Sequence, residues 1–360
     1  MRRYLLPAVG LAVVAATFIW FLPKVADYRD VWDVLQELTW PWAVALLAAT
    51  AINLVTFAPP WQVALPGLRF FRALEVTQAS TALSLVVPGG AAAGAGVSWA
   101  MLRGWGFPRR EITRAIALVS LWNQFLNLFY PVVALALLTA VGEDTALLTT
   151  TAFVGIVILV VVVTGFVLGL VNDRLAHEVG DQAARVANWA REKLKKGPVT
   201  WGGPSFERFR RSAGDLLKRR WHILTLVSLL GSLSVFVVLL VALRALGVPA
   251  SEVTVTEAFA AWALVRLLGS VPITPGGIGV IEVGLTTALV AFGGNNAGVV
   301  AAVLVFRFLT MVPTIAYGLI AAATWRRHRP PVTDPEHSSH PDEVPAGTPR
   351  DDQVGSRSGT

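Results

Sequence analysis

Apolar runs dominate the chain and are separated by short polar or Gly/Pro-rich interruptions. The runs at 4–22, 41–58, 115–139, 147–171, 221–246 and 297–325 are each about 18 residues or longer, enough to cross a hydrocarbon core of ~30 Å. Two other apolar stretches are broken. Residues 73–103 are interrupted by Val87-Pro88-Gly89-Gly90, and 253–292 by Pro272-Ile273-Thr274-Pro275-Gly276-Gly277. In the first, each arm holds about 14 residues, or ~21 Å of helix, which passes the bilayer midplane without spanning it. The pattern predicts an all-α polytopic membrane protein with about six full crossings and two re-entrant helical hairpins.

Charge orients these elements. Apart from Lys24 and Arg29, and Arg244, Arg266 and Arg307 in apolar segments, the other 25 of the 30 Lys and Arg fall in segments assigned to the cytoplasmic side. The loop at 23–40 carries Asp27, Asp30, Asp33 and Glu37 and is placed outside. Arg72 precedes the first hairpin and Arg103, Arg109, Arg110 and Arg114 follow it, so it opens to the cytoplasm. The flanks 247–252 and 293–296 hold no basic residue, so the second hairpin opens outward.

Helix 41–58, the first hairpin and helix 115–139 therefore correspond to helix 221–246, the second hairpin and helix 297–325 in opposite orientation. Such an inverted repeat with paired broken helices is the sequence pointer to a transporter site.

The chain divides into a signal-anchor helix and outer loop (1–40), a first membrane half (41–171), a basic cytoplasmic segment (172–220), a second membrane half (221–328) and a polar tail (329–360). A small-x-small cleavage site is missing after Phe21-Leu22-Pro23-Lys24, so the first helix is expected to stay attached. Segment 172–220 reads as a surface-lying amphipathic helix or equally as a solvated linker. The tail has the composition of a disordered segment. The expected location is a bacterial plasma membrane with both termini cytoplasmic.

Composition narrows the chemistry. Hydrophobic residues make up 54% and charged residues 15% of the chain; soluble domains carry roughly 25% charge. There is no cysteine, which excludes disulfides, thiolate metal sites and a Cys nucleophile. His177, His222, His328, His337 and His340 sit in or beside polar basic segments, so no metal centre within the membrane is expected. The net charge of +7 follows the membrane orientation, not a nucleic-acid face. No cofactor is expected. No ATP-binding motif is visible, so transport would be passive or ion-coupled.

The breaks and the charges near them are the candidate site. At Pro275, Gly276, Gly277 and Gly279 a new helix begins in mid-membrane, where backbone N–H groups and the helix dipole favour an anion. Pro88, Gly89 and Gly90 stand at the matching place in the first half. Glu282 and Arg307 each lie ~15 Å deep and Arg266 ~20 Å deep at the helical rise. Burying such groups costs at least about 2.5–3.5 kcal/mol each, so they face protein or water. A Glu282 pair with either arginine suits a phosphate site or a structural tie between helices. In the first half the candidates are Ser98, Asn123, Gln124 and Asn127. Asn123 and Asn127 share a helix face, and amides there also serve helix packing.

The stretch Val271-Pro272-Ile273-Thr274-Pro275-Gly276-Gly277-Ile278-Gly279-Val280-Ile281-Glu282 resembles the Pro-Gly-Gly-x-Gly-x-x-Glu signature of the lysylphosphatidylglycerol synthase transmembrane-region family. Val305-Phe306-Arg307-Phe308-Leu309-Thr310 is similar to that family's following helix, and residues 88–122 to its other motif. The likeness covers roughly 41–325. It implies a flippase-type domain that moves aminoacylated phosphatidylglycerol between leaflets, with Glu282, Arg307 and the glycines after Pro275 along the headgroup path. Two departures argue against a lysyl-lipid substrate. The polar stretch after 330 is far too short for the family's soluble synthase domain. Gly90-Ala91-Ala92-Ala93-Gly94 stands where many relatives carry an Arg and an acidic residue.

The leading expectation is a translocase for an anionic phospholipid or lipid-linked intermediate. The alternatives are a membrane glycosyl- or aminoacyl-transferase, for which no catalytic carboxylate pattern is visible, and a non-transporting partner of such an enzyme. Expected partners are membrane lipids, a lipid-modifying enzyme and a second copy of the chain.

Overall fold

The computed structural model describes residues 36–87, 90–140, 202–269 and 275–325, with isolated positions at 33 and between 157 and 192. The expected helix at 4–22, the loop at 142–144, nearly all of 147–171, most of 172–201, Pro88, Gly89, Pro272-Ile273-Thr274 and the tail from 326 lie outside the described residues. Among the described residues every regular element is a helix.

The first described apolar helix is α1 (Trp40–Thr56), followed by the short α2 (Pro59–Ala64). Pro59 and Pro60 separate them, because proline lacks the N–H and its ring crowds the preceding turn. Then come α3 (Phe70–Val86), α4 (Gly90–Gly104) and α5 (Arg109–Ala140). The second half has α6 (Gly203–Ala245), α7 (Val255–Gly269), a 3-10 turn (Pro275–Gly277), α8 (Val280–Ala291) and α9 (Asn296–Thr324).

Among the described residues, Trp40–Ala64, Arg109–Ala140, Lys218–Ala245 and Asn296–Thr324 are long and apolar enough to cross a membrane. The hairpin arms are shorter. α7 has 15 residues and α8 has 12, which at the helical rise is ~22 and ~18 Å, less than the core thickness.

α3 packs against α4, and α7 against α8, as two hairpins; α9 lies along α3, and α6 along α1. Apolar burial does not drive helix association in lipid, so small residues that let backbones approach become decisive. A Cβ on Gly318 of α9 would meet the backbone oxygen of Gln78 and, at 2.6 Å, the Ala82 methyl, both on α3. Gly90 and Gly94 of α4 do the same against Ser84 and Ser80 of α3. The Ser84 hydroxyl lies 3.0 Å from the Gly90 carbonyl oxygen, tying the two arms beside the break. Polar ties join the spans as well. Asn53 Nδ2 donates to Ser234 Oγ at 2.9 Å, Gln78 Nε2 to the Leu54 carbonyl at 2.8 Å, and Trp122 Nε1 to Thr225 Oγ1 at 3.0 Å.

Where α6 turns into α7 and α8 into α9, side chains bind the loops together. Arg244 donates to the carbonyls of Val248 and Val253, satisfying groups just past the end of α6. Asn295 caps α9 by accepting from Gly298 N–H at 2.8 Å. One Glu252 oxygen accepts from the backbone N–H and the side-chain amide of Asn295, at 3.0 and 2.8 Å. The hydrogen bond from the Asn295 backbone, then that from its side chain, holds the Glu252 carboxyl below the usual carboxylate range.

Two outcomes follow from this packing. Gly318→Leu is expected to lower stability by about 1–3 kcal/mol through overpacking against α3. Gly96→Ala, where nothing lies within 4 Å, should be neutral or stabilising in detergent melts. Because the Glu252 pKa is depressed, its contribution is present above the ordinary carboxylate pKa of about 4 and is lost as pH falls through the folded value. Wild type should therefore melt above Glu252→Gln at neutral pH and converge with it in acid. A gap independent of pH contradicts the assignment.

Candidate functional site

The second hairpin breaks because its glycines adopt backbone conformations that residues with a Cβ rarely reach. Gly276, Gly277 and Gly279 have φ of 62, 66 and 87°. The chain restarts as α8 at Val280, and Glu282 reaches back to accept from the Gly279 N–H at 2.7 Å. Its other oxygen accepts from Arg307 Nε at 2.6 Å, and Arg307 Nη2 donates to the Gly276 carbonyl at 2.9 Å. Arg307 and Glu282 side chains are only 8% and 5% exposed. The anion at the start of α8 is thus the protein's own carboxylate, and the arginine bridges both sides of the break.

The turn rests on the first hairpin. A Cβ on Gly276 would lie 3.1 Å from Leu85 Cδ2 at the end of α3 and 3.4 Å from Met311 Cε on α9. Pro275 contributes its backbone to the same turn.

Beside this junction lies a cavity of about 620 Å³. Three helices turn polar stripes toward it: Thr77, Gln78 and Thr81 on α3, Ser120, Gln124 and Asn127 on α5, and Arg307, Thr310 and Thr314 on α9. Spacings of three and four residues put each stripe on one helix face. Ala91 of α4, Trp262, Val265, Arg266 and Gly269 of α7, and Ile281 and Leu285 of α8 complete much of the wall, so both hairpins contribute.

Arg266 is held from two sides. Its Nε donates to Asn127 Oδ1 at 2.7 Å, and its guanidinium lies 5.3 Å from the Trp262 ring centroid. Asn127 Nδ2 in turn donates to Gln124 Oε1 at 2.9 Å. Trp262 is fixed by edge-to-face contact with Tyr130, centroids 5.0 Å apart, and by Phe236 and Phe259 at 5.7 and 5.6 Å.

Of the residues singled out by sequence, Arg266, Arg307 and Asn127 line the cavity, as does Gln124. Glu282 pairs with Arg307, and Arg266 is carried by Asn127 and Trp262. Gly276, Gly277 and Gly279 shape the break, outside the cavity lining. Gly90 sits at the close contact with Ser84, and Ser98 is buried in α4. Asn123, expected to act with Asn127, is on α5 but not on the cavity wall. Pro88 and Gly89 lie outside the described residues. Thr77, Gln78, Thr81, Ser120, Trp262 and Thr314 also line the cavity and were not among the residues singled out by sequence. The polar residues among them could have been found by their three- and four-residue spacing. Nothing distinguishes Trp262 from other membrane tryptophans until its contacts are known.

The break with its Glu282–Arg307 closure falls within the region that decides the family. The chain belongs to the lysylphosphatidylglycerol synthase transmembrane-region family. Residues 8–318 match the family described as "Lysylphosphatidylglycerol synthase TM region". The family and the apolar helices together make this a multi-pass membrane protein. No curated protein matches the chain. The family match takes in both hairpins and the polar stripes on α3, α5 and α9.

Removing one member of a buried, hydrogen-bonded ion pair leaves the other charge uncompensated. Arg307→Met and Glu282→Gln are each expected to be strongly destabilising, with about 3–5 kcal/mol lost where a buried charge is stranded. The double variant should lose less than the sum of the two. Strict additivity in detergent unfolding would show that the two side chains act independently.

Proposed function

We propose that the chain is a lipid translocase of the bacterial plasma membrane, which passes an anionic phospholipid or lipid-linked headgroup through the cavity between its two hairpins. The observation that carries this reading is the cavity itself, walled by both hairpins, with Arg266, Arg307 and three polar stripes among its lining residues. Charged and amide groups at this depth are costly against lipid tails, and they mark substrate paths when they line a cavity. The volume falls in the range of about 300–1,000 Å³ typical of pockets that take a drug-sized ligand.

The remaining expectations form one arrangement. α1, the α3–α4 hairpin and α5 correspond to α6, the α7–α8 hairpin and α9 as an inverted repeat. The first hairpin opens to the cytoplasm and the second to the outside, with both termini cytoplasmic. A headgroup would move past Arg266 while its tails stay in the bilayer. A lipid-modifying enzyme would supply or consume the moved lipid, and a second copy of the chain could share the site's lipid environment.

Scrambling of tail-labelled phosphatidylglycerol in proteoliposomes tests the reading. Wild type should accelerate exchange over empty vesicles. Arg266→Gln, with unchanged melting, should slow it by roughly ten- to a hundredfold, the scale of one or two charge-assisted hydrogen bonds. Equal rates for wild type and Arg266→Gln would remove Arg266 from the path.

A further inference from the structure

We infer that the cavity selects a hydroxyl-rich phosphodiester headgroup, one bearing a sugar or inositol, over a headgroup that carries an amino group. The transport part of this inference rests on the translocase reading above. The binding part does not.

The wall chemistry carries it. Arg266 and Arg307 line the cavity, the Arg307 charge balanced by Glu282 behind the wall, and among its described lining residues there is no aspartate or glutamate. The nearby carboxylate, Glu282, does not line it; its two oxygens are held by the Gly279 N–H and by Arg307. An ammonium group entering this space would lose its hydration, find no carboxylate on the described wall, and meet like charge. A phosphodiester would meet the positive charge of Arg266, whose guanidinium plane is backed by Trp262 and whose Nε is fixed by Asn127. Discrimination of this kind arises as much from repulsion of the wrong headgroup as from attraction of the right one.

The rest of the wall is suited to hydroxyls. Gln124 Oε1 accepts from Asn127, which fixes the amide orientation and presents Gln124 Nε2 as a donor. Gln124, Ser120 and Thr81 are exposed and line the cavity from α5 and α3. An amide donor with two hydroxyls, each able to donate and accept, matches a ring of adjacent hydroxyl groups. A bare phosphate ester would leave most of these groups to water.

The test uses the full chain in phosphatidylcholine vesicles with two probes, tail-labelled phosphatidylinositol and tail-labelled lysyl-phosphatidylglycerol. Competitive binding of the same lipids is measured in detergent. Wild type is expected to move and bind phosphatidylinositol about tenfold better, the scale of one charge-assisted contact. Gln124→Glu, which keeps the acceptor for Asn127 and adds one negative charge, should bring the two lipids toward parity by raising lysyl-phosphatidylglycerol. Equal handling by wild type, or preference for the lysyl lipid, overturns the selectivity while leaving translocation standing. If neither lipid crosses but phosphatidylinositol is bound in preference and Arg266→Gln abolishes that preference, the selectivity holds and the translocase reading fails. Binding of neither lipid overturns the inference.

Discussion

A helix that breaks inside a membrane exposes backbone groups that lipid cannot satisfy, and each unsatisfied group costs several kcal/mol. Here one buried pair meets that constraint. Glu282 satisfies the N–H at the start of α8, and Arg307 satisfies a carbonyl of the preceding turn while neutralising Glu282. The positive-φ glycines make the break, and these two side chains make it tolerable. Because Arg307 belongs to α9, the break is also pinned to a long span that packs along α3. The turn it holds packs on Leu85 of the first hairpin, and the cavity lies beside that junction.

The same bridge separates two roles that the charges could have shared. Glu282 is fully engaged in holding the break, and Arg307 divides its guanidinium between Glu282 and Gly276 while still reaching the cavity wall. Arg266 stands apart from that tie. It is positioned by a neutral amide and by aromatic faces, an arrangement that orients a guanidinium without a carboxylate on its Nε. The proposed site is therefore centred on Arg266, with the Glu282–Arg307 pair as its frame.

Much of the fold was legible because membranes impose few solutions. Hydropathy located the spans Arg109–Ala140, Lys218–Ala245 and Asn296–Thr324, and the Pro-Gly-Gly motif at 275–277 marked a helix break. The sequence also led, through the rise per residue, to an expected depth of ~15 Å for Glu282 and Arg307 and ~20 Å for Arg266. It left open which arginine takes Glu282, because that depends on how α9 and α7 rotate against α8. Rotation is set by contacts such as Gly318 on Gln78 and Gly284 on Val265, where the side chain is absent and leaves no hydropathy signal. Asn123 illustrates the same limit. It shares a broad helix face with Asn127, yet only the stripe through Ser120, Gln124 and Asn127 reaches the cavity.

The central claim is that a lipid headgroup occupies the space beside Arg266 while its tails remain in the bilayer. An electron cryomicroscopy map of the protein in lipid nanodiscs tests it most directly. Headgroup density is expected within hydrogen-bonding distance of Arg266 and Gln124, continuous with acyl chains leaving between helices. A cavity filled by acyl chains alone, with every headgroup held at the membrane surface, would contradict it.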